Sequence, residues 1–176
     1  PGTPSTEILE HFSSIGGTAQ WAPNEKVALE VGLGVAYAGG RVLVTMKHVG
    51  VNVAADPLFT AAYTGVTGGL VLAVADDPGM ASSQNEQDTR HYARAAGIPC
   101  LMPTDSQSAY DLLRKGLELS ETWKTPVILR VTTRISHSKC VCETREKEQA
   151  PVPAYQRDPA RRVMVPAYAR PAHVRL

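Results

Sequence analysis

Cysteine is scarce in this chain, and its few residues do not follow a pattern typical of a disulfide framework. The three cysteines are Cys100, Cys140 and Cys142. Their odd number and their spacing favour a reducing environment, and we therefore expect a cytoplasmic protein. One residue separates Cys140 from Cys142, whereas common zinc and iron–sulfur ligand runs have at least two. We interpret this pair as incidental.

The chain also has little net charge and no long apolar run. Its formal net charge is +1 at pH 7, so its global field gives no reason to expect a nucleic-acid partner. No segment is long and apolar enough to span a bilayer, and the sequence does not begin with a signal peptide. With 176 residues, of which 43% are hydrophobic and 20% charged, the composition is typical of one globular domain.

Short apolar segments alternate with segments of helical periodicity along most of the sequence. The predicted strands are Thr18–Ala22, Arg41–Met46, Leu70–Ala75, Ile98–Met102 and Val127–Val131. The predicted helices are Thr6–Phe12 capped by Ser5, a helix from Asn24 to Ala38, Asn52–Thr64, Gln84–Ala96, and a helix capped by Asp105. This alternation predicts a single α/β domain whose parallel sheet has helices on both faces. Gly32 and Gly34 weaken the second helix, which predicts close packing at these positions.

The two ends of the chain differ from its centre. The sequence opens on a turn at Pro1–Ser5, and no strand precedes it. From Glu143 onward the chain is rich in proline and charge and lacks periodicity. We therefore expect a domain over residues 1–142 that lacks its first strand. Residues 143–176 are expected to form an arm or linker toward a missing domain.

The loops that follow the predicted strands are the candidate binding loops, because ligands of parallel sheets lie at the carboxyl ends of the strands. These loops contain Pro23–Glu25, Lys47–Gly50, Asp76–Gln84 and Pro103–Asp105. None of them carries a glycine-rich phosphate-binding motif. The domain is therefore not expected to hold a diphosphate without a partner domain.

Several of these loops occur in motifs that can be compared with a known family. The motifs are Pro1–Ser5, Trp21–Glu30, Thr45–Pro57, Ala75–Met80 and Ser82–Asp88. In this order and at this spacing they resemble the pyrimidine-binding domain of the thiamine-diphosphate-dependent 2-oxoacid:ferredoxin oxidoreductases. The resemblance is strongest to the large subunit of the indolepyruvate-specific branch, and it covers nearly the whole chain.

The resemblance implies a thiamine-diphosphate-binding fold of the pyrimidine type. It also implies part of an enzyme that oxidatively decarboxylates arylpyruvates such as indolepyruvate, passing electrons to ferredoxin and the acyl group to coenzyme A. Thiamine diphosphate would be shared with a diphosphate-binding domain, and a beta subunit and an oligomeric enzyme are expected. Magnesium and iron–sulfur clusters belong to other parts of the full enzyme, so this chain would hold no metal.

Four residues are the candidate site residues that the resemblance implies. Glu25 would hydrogen-bond the N1′ nitrogen of the aminopyrimidine ring, which makes it both a catalytic and a cofactor-binding residue. His48 would act as an acid or contact the substrate, and Lys47 would offer a positive charge to the substrate carboxylate. The alternative for both is a loop residue bonded to backbone. Thr3 would approach the same carboxylate. Without the resemblance, Glu25 would be an ordinary acidic residue in the first turn of a helix.

Other residues are assigned no chemistry, and two departures from the family's pattern are visible. Asp76 and Asp77 lack a third oxygen ligand at suitable spacing, so we interpret them as loop-shaping residues. Relatives carry an acidic residue in place of Gln20 and a histidine in place of Ala81, which puts the choice of substrate in question. Two alternatives remain open. One is the pyrimidine-domain chain of a non-oxidative 2-oxoacid decarboxylase, and the other is a non-catalytic assembly module.

Overall fold

A computed structural model describes residues 2, 5–146 and 151–176. Within these residues the strands form one parallel sheet in the order β1-β2-β4-β3. The strands are β1 (Val42–Lys47), β2 (Leu70–Asp76), β3 (Cys100–Leu101) and β4 (Val127–Thr132). The helices are α1 (Thr6–Ser14), α2 (Glu25–Tyr37), α3 (His48–Val53), α4 (Ala55–Thr64), α5 (Thr89–Ala96), α6 (Ser106–Trp123), α7 (Thr133–Ser136), α8 (Pro159–Arg162) and α9 (Pro166–Arg175).

Helices cover both faces of the sheet, as predicted for continuous apolar strands. Every residue of β2 is buried. Leu72 and Ile128 lie in a core shared with α2, α4 and α5 on one face. Val71 and Leu129 lie in a second core with the leucines of α6 on the other. The predicted α/β architecture with a parallel sheet is therefore confirmed.

The predicted strand at Thr18–Ala22 is wrong for the described residues, because this segment pairs with no strand. Strand β1 is the edge of the sheet and is hydrogen-bonded to β2 alone among the described strands. A segment with strand composition forms no ladder when no neighbour presents its backbone groups. The idea that a first strand is missing from this domain stays a prediction.

Two predicted helix starts and one predicted cap differ from the structure, and each difference has a local cause. The segment after β1 is helical from His48 rather than a loop. Helix α5 begins at Thr89 rather than near Gln84, because Asp88 caps it by accepting from the backbone N–H of Arg90. Ser5 does not cap α1, since its hydroxyl donates to the carbonyl of Gly2 at 2.9 Å.

The region expected to be an arm contains two helices that pack against the domain. Ala172 of α9 is 2% exposed. The Arg162 guanidinium at the end of α8 donates to the carbonyls of Thr64 and Gly65 at 3.0 and 2.6 Å. It also donates to the hydroxyl of Thr67 at 2.6 Å and lies 4.4 Å from the ring centroid of Tyr37. The carbonyls at the end of α4 thus find partners more than ninety residues along the chain.

Replacing Arg162 with methionine should lower the free energy of unfolding by about 2 kcal/mol, because the partly buried Gly65 carbonyl loses its charged donor. The Thr64 carbonyl keeps the Arg161 guanidinium, whose Nε donates to it at 3.1 Å. Chemical denaturation of both proteins measures the difference. Arg157→Met is the control, since Arg157 is an exposed arginine of the same segment. Its effect should stay within about 0.5 kcal/mol. Equal effects of the two changes would contradict the anchoring role of Arg162.

Candidate active site

The candidate site lies where β1 and β2 end. Lys47, the last residue of β1, is in register with Ala75 near the end of β2. Because the strands are parallel, the residues that follow them gather at one edge of the sheet. Helix α3 starts at once after β1, and the loop 77–88 follows β2.

Glu25 is the first residue of α2, and its side chain lies over Gly50. Asn24 caps this helix by accepting from the backbone N–H of Val27 at 3.0 Å, which confirms the predicted cap. A Cβ built on Gly50 would lie 2.5 Å from Cγ and 3.0 Å from Oε1 of Glu25. The Glu25 side chain is half-buried, and among the described residues its carboxylate has no hydrogen bond or ion pair. A carboxylate so placed is free to bind an added donor.

Helix α2 is held close to β1 by the small size of Gly32. A Cβ at Gly32 would lie 2.5 Å from Cγ2 of Val44, whereas a Cβ at Gly34 would meet nothing within 4 Å. The predicted close packing is therefore confirmed for Gly32 and wrong for Gly34, which faces open space. At the start of the helix, Lys26 Nζ lies 2.9 Å from Asp56 Oδ2 of α4.

Lys47 is 8% exposed, and its ammonium is turned toward the loop 77–88. Its Nζ donates to the carbonyl of Ser82 at 2.8 Å. The ammonium can donate three hydrogen bonds, so this contact leaves donors for a ligand. Lys47 thus lies at the edge of the sheet where the candidate site is expected. Its role toward a substrate carboxylate stays a prediction.

His48 is 1% exposed, and both of its ring nitrogens face backbone carbonyls. Nδ1 lies 3.3 Å from the carbonyl oxygen of Ala75, and Nε2 lies 3.1 Å from that of Asn85. A neutral imidazole has one N–H and donates to only one of the two. The ring therefore links the end of β2 to the loop 77–88. Its role as an acid or a substrate ligand stays a prediction, and it would require this loop to move.

Asp77 organises the first half of the loop 77–88. Its carboxylate accepts from the backbone N–H of Ala81 at 3.2 Å and of Ser82 at 2.8 Å. It also accepts from the hydroxyl of Ser83 at 2.6 Å. These donors, led by Ser83, hold the pKa of Asp77 below its ordinary value. The predicted loop-shaping role is confirmed, and the ordered loop presents the Ser82 carbonyl to Lys47.

Asp76 organises the other end of the loop through a buried ion pair. Its carboxylate accepts from Arg130 Nε at 2.6 Å, from the backbone N–H of Thr89 at 3.1 Å and from the Thr89 hydroxyl. The exposed fraction of the side chain is 0% for Asp76 and 13% for Arg130. The role of Arg130 was not predicted from the sequence. An arginine within the apolar strand Val127–Thr132 could have indicated it, because buried charges are usually paired.

The remaining sequence candidates lie elsewhere. Thr3 lies outside the described residues. Gln20 and Ala81, the two departures from the family pattern, are both exposed. Among the described residues, no three histidine, cysteine or acidic side chains gather as a metal site would require. No described helix has both the length and the hydropathy needed to cross a bilayer.

A cavity lies at the opposite edge of the sheet. Its volume is about 680 Å³, and its lining includes Gly65, Gly97, Lys124 and Thr125. These residues precede strands rather than follow them. Ligands of parallel sheets lie at the other edge, so we do not place the active site in this cavity.

Comparisons with known proteins point to one group of relatives. The chain is 48% identical to the indolepyruvate oxidoreductase subunit IorA of Methanothermobacter thermautotrophicus over all of this chain and 29% of that subunit. It is 48% identical to IorA of Archaeoglobus fulgidus over 97% of this chain and 29% of that subunit. The chain thus spans less than a third of the length of these relatives. No family model matches the chain.

A solved structure supports the same fold. It is a 2-oxoglutarate:ferredoxin oxidoreductase from Magnetococcus marinus with 2-oxoglutarate, coenzyme A and succinyl-CoA bound. The match has a TM-score of 0.67 and 21% identity over 77% of this chain and 26% of that chain. At this identity the match shows the fold alone.

Gly50→Ala should displace the Glu25 carboxylate with little loss of stability, because alanine suits a helix and the Glu25 side chain is able to rotate away. A crystal structure of the variant shows the displacement, and chemical denaturation measures stability. Gly34→Ala is the matched control in a helix. It should leave Glu25 in place and raise the free energy of unfolding by up to about 1 kcal/mol. An unmoved Glu25 in Gly50→Ala would contradict the packing described here.

Asp77→Asn should speed hydrogen exchange at the amides of Ala81 and Ser82. An asparagine NH₂ group placed at Oδ2 would face donors instead of accepting from them. Exchange of the loop 77–88 is measurable by mass spectrometry of its peptides. Glu86→Gln is the control. Glu86 accepts from the backbone N–H of Gly79 at 3.2 Å, and the amide oxygen of glutamine is still able to accept this bond. Unchanged exchange in Asp77→Asn would show that Asp77 does not hold the loop.

Proposed function

We propose that this chain, which belongs to the family of indolepyruvate oxidoreductase subunits IorA and corresponds to about 29% of their length, is a pyrimidine-binding domain for thiamine diphosphate. Glu25 is the residue that binds the aminopyrimidine N1′ nitrogen. The observation that carries this proposal is the half-buried Glu25 carboxylate, which lies over Gly50 with no partner among the described residues.

The residues present fit one part of the cofactor and not the rest. Glu25 offers a carboxyl group that can share a proton with a ring nitrogen, and the absence of a side chain at Gly50 leaves space for this group. No described cluster suits magnesium, and no glycine-rich loop suits a diphosphate. A diphosphate-binding domain must therefore supply these contacts, so the cofactor would lie between two domains.

Glu25 has a defined task in this arrangement. Thiamine diphosphate supplies the carbon centre and the electron sink for decarboxylation of a 2-oxoacid. Glu25 holds a proton in a hydrogen bond with the ring nitrogen and so governs which nitrogen of the aminopyrimidine is protonated. The α2 cap at Asn24 and the contact with Gly50 keep the carboxylate in position.

Lys47, His48 and Thr3 complete the proposed substrate contacts. Lys47 would donate to the carboxylate of a 2-oxoacid, because the negative charge of this group stabilises a buried ammonium. It would then share its donors between the Ser82 carbonyl and the substrate. His48 reaches the substrate only when the loop 77–88 releases the Asn85 contact. Substrate binding and loop position are therefore coupled in this proposal.

The full enzyme would decarboxylate an arylpyruvate such as indolepyruvate, with electrons passing through iron–sulfur clusters to ferredoxin and the acyl group to coenzyme A. It would combine this domain with a diphosphate-binding domain and a beta subunit in an oligomer. The names of the relatives support indolepyruvate as the substrate. These names favour the oxidoreductase over a non-oxidative decarboxylase, and the unpartnered Glu25 favours it over an assembly module.

Glu25→Gln in the full-length enzyme should slow exchange of the C2 proton of bound thiamine diphosphate by about 10²–10⁴-fold, the usual contribution of a positioned acid–base group. Exchange into deuterated solvent is measured by NMR after acid quench. Glu30→Gln is the matched control, because Glu30 is an exposed glutamate of the same helix. It should exchange as the unmodified enzyme does. Equal exchange in both variants would remove Glu25 from the mechanism.

A further inference from the structure

Cys140 and Cys142 place their sulfur atoms side by side in a segment that solvent reaches. The distance between the two Sγ atoms is 3.3 Å. Cys140 is exposed, Cys142 is half-buried, and neither is in a disulfide. We propose that these two residues form a reversible dithiol–disulfide site that hydroperoxides oxidise. The spacing of Cys140 and Cys142 does not suit a metal site, which is why the sequence indicated no role for them. Dithiol chemistry does not depend on metal-ligand spacing.

The segment that carries the two thiols is fastened to α6 on both sides. Before the pair, Ser138 Oγ lies 3.0 Å from Ser106 Oγ. After the pair, the backbone N–H of Glu143 donates to Gln107 Oε1 at 2.7 Å, and Gln107 Nε2 donates to the Glu143 carbonyl at 3.3 Å. Fastening both ends restricts the conformations of the intervening residues, which raises the effective concentration of each thiol at the other.

The two sulfur atoms need to approach by only about 1.2 Å to reach bonding distance. We expect rotation of the two side chains to supply this movement. The hydrogen bond with Cys140 raises the pKa of the Cys142 thiol, so Cys142 retains its proton. The more exposed Cys140 is therefore the thiol that a hydroperoxide reaches first.

The proposed reaction has two balanced steps. Cys140 releases its thiol proton, and its sulfur attacks the terminal peroxide oxygen as the O–O bond breaks. The leaving alkoxide takes up a proton, equal to the one released, and departs as an alcohol, while Cys140 becomes a sulfenic acid. Cys142 then attacks the sulfenic sulfur, the S–S bond forms, and the hydroxyl leaves as water with the Cys142 proton. In total, two thiols are oxidised and one hydroperoxide is reduced to one alcohol and one water.

Cys100 supplies a contrast within the same chain. It is half-buried in β3, and desolvation raises the pKa of its thiol. No second sulfur contacts it among the described residues. It has neither the thiolate character nor the neighbour that disulfide formation requires. We therefore expect Cys100 to stay reduced under conditions that oxidise the pair.

The test uses the full-length protein, hydrogen peroxide and tryptic peptides. Cleavage after Lys139 and Arg145 releases peptide 140–145 with both cysteines, and peptide 95–114 carries Cys100 alone. Free thiols are alkylated with iodoacetamide before digestion without reduction. After peroxide treatment, peptide 140–145 should carry neither label. Its mass should be that of the unlabelled, reduced peptide less two hydrogen atoms. Dithiothreitol should restore both labels, and peptide 95–114 should remain labelled throughout.

A variant separates the first step from the second. Cys142→Ser should form no disulfide, and its Cys140 sulfenic acid should be captured by a cyclic 1,3-dione added with the peroxide. Three results would each overturn the proposal. They are retention of both labels on peptide 140–145, a cross-link to another cysteine, and over-oxidation of the pair without an intramolecular disulfide. None of these measurements depends on the proposed thiamine chemistry.

Discussion

The close approach of α2 to β1 is the constraint on which the proposed site depends. Gly32 lets α2 lie against Val44, and Gly50 lets the first residue of α2 extend its side chain over helix α3. A methyl group at either glycine would meet a neighbour at 2.5 Å. The position of the Glu25 carboxylate therefore follows from two absent side chains as much as from Glu25 itself.

The loop 77–88 adds a second level of organisation to this edge of the sheet. Asp77 and Asp76 hold its two ends, and each does so by accepting several hydrogen bonds. The loop in turn offers the carbonyls of Ser82 and Asn85 to Lys47 and His48. The two buried carboxylates thus hold a polar loop in position. A buried polar network makes the structure rigid in this way when its hydrogen bonds are satisfied.

Much of the fold could be predicted from the sequence, because apolar periodicity decides which faces are buried. Strand β2 was predicted from its continuous apolar run, and the caps at Asn24 and Asp105 from residue type. Thr18–Ala22 was mispredicted because strand formation depends on a neighbouring strand, which local composition does not report. The start of α5 depended on the Asp88 cap within a polar run that offered several possible caps.

The site was only partly predictable. Family resemblance proposed Glu25 and Lys47 as site residues, whereas the ion pair of Arg130 and the thiol pair depend on contacts between distant residues or on side-chain geometry. The most direct test of the account is a crystal structure of the full-length protein with thiamine diphosphate bound. The account predicts a Glu25 carboxylate oxygen about 2.6–3.2 Å from the aminopyrimidine N1′ nitrogen. A bound cofactor whose N1′ contacts another residue, with Glu25 turned toward solvent, would contradict it.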